Sequence, residues 1–317
     1  MRTGIEDYFV RSCYAAPDRI LVATALTDLE YLAPQAVAQA QAAQAELVFV
    51  HAIEAGAPSA QATYYNPLKA DRDARLTLEV LARHIRIRNI ACSTVVRHGE
   101  PAEVLEEVLR ERPAGRLLMG AHATSDASGG SLGRTASSLL LQTPVPVCVL
   151  PSHVVRQSQT GLGQESIKEP HSILYPVGEH GPHPEGIRFA LDLAQYFHAE
   201  LILLQIAAPG RTAADPLATT CSAGLWPHIR HIRSSEGNAD SVLHVLRETE
   251  AGMLLVEAPS STAGSAVDPK SLSDLVALSP CPVLTFPVLP WDRDFLPLNS
   301  LSEYRPGLTP LSSLEVH

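Results

Sequence analysis

The chain has 317 residues, of which 45% are hydrophobic and 18% charged, enough apolar material for packed cores and a length that suits two domains. That composition excludes a disordered chain, and no run of eighteen apolar residues offers a membrane span. With 24 basic against 34 acidic residues, the net charge of −10 has the wrong sign for gripping a nucleic-acid backbone without sequence preference.

Residues 1–18 form an N-terminal arm that carries charges throughout and lacks the apolar centre of an export signal, so a cytoplasmic protein is expected. The five cysteines (Cys13, Cys92, Cys148, Cys221, Cys281) are odd in number and lack a C-x-x-C pair, which argues against a disulfide framework or a zinc knuckle. Ile20-Leu21-Val22-Ala23 reads as a strand buried on both faces. Leu29, Leu32, Ala36, Val37 and Ala40 follow at helical spacing. A second strand runs from Ala45 to Val50, and residues 66–88 form a helix with Leu76, Val80, Leu81 and His84 on one face. Gly99 to Ala102 opens another helix, and Thr143-Pro144-Val145-Pro146-Val147 leads into a last strand.

The pattern then repeats. Ile173 to Val177 is a strand, Ile187, Ala190, Leu191, Ala194 and Phe197 mark a helix, and Ala199 to Leu204 is the next strand. Gly237 to Asp240 matches Gly99 to Ala102, and Ser279-Pro280-Cys281-Pro282-Val283 closes the second copy. Ile20 and Ile173 are 153 positions apart and Leu47 and Leu201 are 154, but Gly99 and Gly237 are 138 and Pro146 and Pro282 are 136. The second copy is therefore shorter between its second strand and Gly237. Its residues 211–229, rich in Ala, Thr, Pro and Gly, suggest that a covering helix has been lost, leaving Leu225, Trp226 and Ile229 to face a partner. Alternating strand and helix predict an α/β protein with a parallel sheet in each copy. The domains expected are 19–152 and 171–288, joined by a polar linker at 153–170 and followed by a tail at 289–317.

In these residues the chain resembles the universal stress protein family in tandem. The resemblance rests on Ile20 to Thr24, Leu117 to Gly120, Gly133 and Pro144 to Val147 in the first copy. In the second it rests on Ile173 to Val177, Phe189 to Ala194 and Pro280 to Val283. It implies two open parallel five-stranded sheets of order 3-2-1-4-5 with helices on both faces. It also implies pairing of the two domains, through Pro146 to Leu150 and Pro282 to Phe286.

ATP-binding members place Gly-x-x-Gly, nine residues, then Gly and a hydroxyl residue after the fourth strand. Here Gly120 and Gly133 match, Ala123 takes the second glycine, Arg134 takes the hydroxyl position, and Thr135 follows one residue late. Glycines let a backbone approach phosphate, a helix N-terminus offers free N–H groups, and Arg134 offers a bidentate cation. Gly120, Gly133, Arg134 and Thr135 are thus the expected nucleotide-binding residues, with ATP as the cofactor implied. The aspartate that such members carry after the first strand is replaced by Ala25. In the second copy Gly178 stands at that position, Glu257 replaces the loop glycine, and Pro269-Lys270 replaces the glycine and hydroxyl. That half is expected not to bind ATP.

Gly264 to Ser271 has the spacing of a phosphate loop except for Pro269, which fixes φ and supplies no N–H. Glu179, His180, His183 and Glu257 would share a cleft of the second copy, with metal binding or proton transfer as the chemistry open to them. No nucleophile elbow is present. The expectation is a non-catalytic stress-response binding or regulatory protein. It pairs its domains within the chain and forms a homo-oligomer or binds a protein partner. The alternatives are a slow ATPase or acid/base enzyme, and a purely structural pairing module.

Overall fold

A computed structural model describes residues 16–54, 66–121, 132–151, 170–179, 184–206, 228–234, 238–258 and 267–287. The first half comprises β1 (Arg19–Ala23), α1 (Leu29–Ala43), β2 (Glu46–Ile53), α2 (Pro67–Arg86), β3 (Cys92–His98), α3 (Pro101–Glu111), β4 (Arg116–Gly120), α4 (Arg134–Gln142) and β5 (Val147–Leu150). The second comprises β6 (Ser172–Val177), α5 (Pro184–Tyr196), β7 (Glu200–Ile206), β8 (Ile229–Ser234), α6 (Ala239–Glu248), β9 (Met253–Glu257), α7 (Pro269–Leu278) and β10 (Val283–Phe286). Residues 1–15, most of the linker, the tail, and the segment holding Leu225 and Trp226 lie outside the described residues. So does most of the stretch in which a helix was expected to be lost.

The strands follow the order β3-β2-β1-β4-β5-β10-β9-β6-β7-β8. Each half thus has the expected 3-2-1-4-5 order, but the two sheets are merged into one. The join is β5 against β10, antiparallel, with Val149 opposite Val283 and Cys148 opposite Leu284. Every residue of both strands is buried, and an apolar edge of that kind is covered by pairing rather than left to water.

The register repeats as well as the order. Ile20 lies opposite Leu47 and Arg116, as Ile173 lies opposite Leu201 and Met253. Leu117 lies opposite Val147, as Leu254 lies opposite Val283. Counting along the strands, Val22 corresponds to Tyr175, Gly120 to Glu257 and Leu150 to Phe286.

Helices cover both faces. Buried residues of α1, α2 and α5 form one apolar layer, and those of α3, α4, α6 and α7 form the other. Each layer runs through both halves, so the join lies inside a shared core. Capping is local: the Asn66 side chain accepts from the N–H groups of Leu68 and Lys69 at the start of α2, and Glu100 accepts from Ala102 and Glu103 at the start of α3.

One expected face is corrected. Helix α2 buries Ala74, Leu78, Ala82 and Ile85 against the sheet, whereas Leu76 is 63% and Val80 48% exposed. His84 is exposed too, and Leu81 is only partly buried. Small alanines let the helix lie close to β3, and the larger aliphatic residues are turned outward.

Candidate functional site

A cavity of about 640 Å³ opens at the C-terminal ends of β1, β2 and β4. The chain winds to β2 on one side of β1 and to β4 on the other, and such a reversal is where open parallel sheets bind ligands. Gly120, Gly133, Arg134 and Thr135 all line it, and so does Ala25. Two strand ends bring these residues together, with Ala23 of β1 opposite Met119 of β4.

Gly133 is the N-cap of α4 and gives it no side-chain cap. Its own N–H donates to Ala121 O at 2.9 Å, which ties the start of α4 to the residue after β4. The first N–H groups of a helix have no acceptor within it. Here they belong to Arg134, Thr135 and Ala136, all on the cavity wall. Together with the helix dipole they make that wall attractive to an anion. Thr135 takes the second helical position, beside the first-turn N–H groups. The Arg134 guanidinium, 78% exposed, reaches across to Glu54, with Nη2 3.4 Å from Oε1. An exposed pair of this kind contributes about 0–1 kcal/mol, so a phosphate can replace Glu54 at little cost.

A functional group missed by sequence reasoning lies opposite. Asp28, only 4% exposed, lines the cavity close to where a strand-end aspartate was sought at Ala25. The Thr24 hydroxyl donates to Asp28 Oδ1, and the Ala25 N–H donates to both carboxylate oxygens, at 3.1 and 3.2 Å. The Leu26 N–H donates to Thr24 Oγ1 at 2.9 Å, with Leu26 at φ +70° in the turn. Burial pushes the Asp28 carboxyl above its ordinary value, and the bonds from Thr24 and Ala25 pull it partly back. The signal was available: an aspartate directly before the apolar run of α1, four residues after a threonine.

His51 also lines the cavity. Its Nδ1 lies 2.9 Å from Thr24 O, and because a carbonyl only accepts, Nδ1 carries the proton and Nε2 is left to other contacts. The Thr24 hydroxyl faces Asp28 rather than the imidazole, so His51 is not placed as a base for Thr24. Cys92, Cys148 and Cys281 are free and buried. Burial pushes the Cys92 thiol up to about 11 and the Cys281 thiol up to about 12, which keeps both protonated.

The second half is built differently at the same place. Glu257 stands where the first half has Gly120, and its Oε1 accepts from the hydroxyl of Tyr175, a side chain with no exposure. Burial first, and the Glu257 charge second, hold that phenol well above its usual range. Gly186 of α5 rests on this pair, and a Cβ there would collide with Glu257 Oε1 and Tyr175 OH. Phe286 packs against Tyr175 and Phe189, with ring centroids 6.2 and 4.7 Å apart.

The N-terminus of α7 is closed by its own cap. Asp268 accepts from the N–H groups of Lys270 and Ser271 at 2.9 and 3.0 Å and from the Ser271 hydroxyl at 2.6 Å. The donors that a phosphate loop would need at Lys270 and Ser271 are thus taken by a carboxylate. Of the residues expected to share the cleft with Glu257, Glu179 follows β6, while His180 and His183 lie outside the described residues. Among the described residues no group of three or more His, Cys, Asp or Glu side chains is placed to hold a metal ion.

Residues 17–151 match the sequence profile of the universal stress protein family. The chain carries a universal stress protein domain. Its fold is similar to that of a universal stress protein from Archaeoglobus fulgidus DSM 4304, with 15% identity, 86% of this chain and 97% of the other covered, and a TM-score of 0.62. A functionally unknown protein from Pseudomonas aeruginosa PAO1 is similar at 15% identity, with coverage of 87% and 94% and a TM-score of 0.62. A putative universal stress protein from Pseudomonas aeruginosa UCBPP-PA14 is similar at 15% identity, with coverage of 87% and 95% and a TM-score of 0.59. These likenesses establish the fold over both halves. No curated protein matches the chain. The universal stress protein domain supports a binding or regulatory role in the stress response. Among the described residues no helix is long and apolar enough to cross a membrane.

Proposed function

We propose that this is a cytoplasmic, non-catalytic stress-response protein in which residues 19–152 bind an adenine nucleotide such as ATP and residues 171–288 are a divergent universal stress protein domain that serves as scaffold. The observation that carries the reading is the cavity at the ends of β1, β2 and β4, with the uncapped N-terminus of α4 on its wall. Phosphate oxygens lie against the N–H groups after Gly133, with Arg134 released from Glu54 and Thr135 supplying a hydroxyl. Gly120 leaves the phosphate path free of a side chain. At the other end Asp28 faces the nucleoside and favours groups that donate hydrogen bonds. Asp28, Glu54 and Asp73 all line the cavity, and their carboxylates favour a nucleotide whose charge is reduced by magnesium over the bare polyanion.

The test is thermal unfolding of the full chain with magnesium ATP and, separately, with adenosine. Ligand at about ten times its Kd contributes about 1.4 kcal/mol, which raises the Tm by roughly 2 °C in a protein of this size. Arg134→Ala is expected to reduce the ATP shift and leave any adenosine shift unchanged. Absence of a shift at millimolar ATP overturns the reading.

A further inference from the structure

Four of the five large hydrophobic side chains exposed among the described residues lie along one helix. They are Leu68 (81%), Leu76 (63%), Val80 (48%) and Ile87 (74%), the last at the C-cap of α2. At 3.6 residues per turn, the positions diametrically opposite the buried Ala74, Leu78, Ala82 and Ile85 are Lys69, Leu76, Val80, Arg83 and Ile87, with Asp73 beside them. Residues 69, 73, 76, 80, 83 and 87 are spaced four, three, four, three and four apart, the spacing of a two-helix supercoil seam, here with three apolar positions (Leu76, Val80, Ile87) and three charged ones (Lys69, Asp73, Arg83). A helix that only covers a sheet has no need of such a seam on its outer face.

We propose that α2 is a homodimerisation helix, packing antiparallel on the α2 of a second copy of this chain. The choice of occupant comes from the seam's own charges. When two α2 helices cross antiparallel about the level of Leu78, Leu76 meets Val80 of the second copy and Asp73 meets its Arg83, each contact occurring twice by symmetry. Lys69 then lays its aliphatic stem over Ile87. Within one chain Asp73 and Arg83 are ten residues apart, and among the described residues neither makes an ion pair. Neighbouring charges are already matched inside the chain, Arg75 with Asp71 at 2.7 Å and Arg86 with Glu79 at 2.9 Å. A seam of six residues is smaller than the roughly 20–30 residues a side of a stable interface, so the dimer belongs to the weak class, with a Kd on the order of micromolar. Asp73 and Thr77 also line the cavity, so the dimer seam runs along the edge of the ligand site.

Sedimentation velocity of the full chain from about 1 to 200 µM tests this. The wild type is expected to shift from monomer to dimer across that range, and Leu76→Asp combined with Val80→Asp to remain monomeric. Asp73→Arg alone and Arg83→Asp alone each place two like-charged pairs in the seam and weaken association roughly tenfold. Combining them restores the opposite pairing and recovers the affinity, which a role confined to folding would not do. All four positions are exposed, so unchanged thermal melting of each variant is the control. Three results overturn the proposal: a wild type that stays monomeric throughout, a dimer indifferent to the Leu76 and Val80 changes, or a charge-swapped double variant no better than its single parents.

Discussion

Ile20 and Ile173 occupy the same place in the strand register, and two residues further along the halves part company. The first half has Val22, Gly120 and Leu150 around the end of its central strands. The second has Tyr175, Glu257 and Phe286, and α5 brings Gly186 down on the tyrosine and carboxylate. The helix that follows the fourth strand differs in the same sense: α4 begins at an uncapped Gly133, while α7 begins at Asp268 with its first-turn N–H groups satisfied. One architecture therefore supports an open switch point and a filled one. Among the described residues the difference lies in about four side chains, not in strand order or register.

Breaking the filled site should have the largest effect. Gly186→Ala is expected to cost about 1–3 kcal/mol of stability by overpacking, measured by urea unfolding. The contact with the Tyr175 hydroxyl persists in a Glu257→Gly background, but the part of the loss due to Glu257 should disappear there. An equal loss in both backgrounds would mean that Gly186 is not held by this contact. Exchanging the caps sharpens the comparison next. Gly133→Asp should stabilise the free protein by only about a few tenths of a kcal/mol while abolishing the response to ATP, and Asp268→Ala should cost about 1 kcal/mol with no effect on ligand.

A pH effect of definite sign belongs to Asp28. Its folded value lies above the ordinary carboxylate value of 3.8, so the folded state binds the proton more readily between the two. Ionised Asp28 destabilises the fold above its folded value, and that penalty is relieved as pH falls toward 3.8. Relative to Asp28→Asn, the wild type should gain stability on acidification through that window; a gain on raising pH would contradict burial as the main cause. The smallest change is expected from Arg134→Ala without ligand, about 0.5 kcal/mol or less, because the pair with Glu54 is exposed.

The repeat was legible because strands buried on both faces read as uninterrupted apolar runs, and Ile20 to Ala23 and Ile173 to Val177 bound the two sheets' centres without ambiguity. The apolar pattern of Val147 to Leu150 looks the same whether another strand or a helix covers it, so the junction of β5 and β10 was legible only through the family resemblance, which implied pairing of Pro146 to Leu150 with Pro282 to Phe286. Leu76 and Val80 misled because aliphatic residues at helical spacing are usually core. The true inner face uses Ala74 and Ala82, whose small size matters only once the nearness of β3 is known. At the candidate site the glycines and Arg134 were found through the loop spacing. Asp28 stands beyond the strand end in sequence, and only the folded turn at Leu26 returns its carboxylate to the cavity.

The antiparallel junction at Cys148 and Leu284 has one more consequence. It turns the halves head to tail, so their strand ends open on opposite rims of the sheet. Two separate but identical subunits joined in this way would inherit every substitution in duplicate. A continuous polypeptide escapes that constraint, which leaves one rim free to change chemistry while its opposite number keeps the assembly rigid.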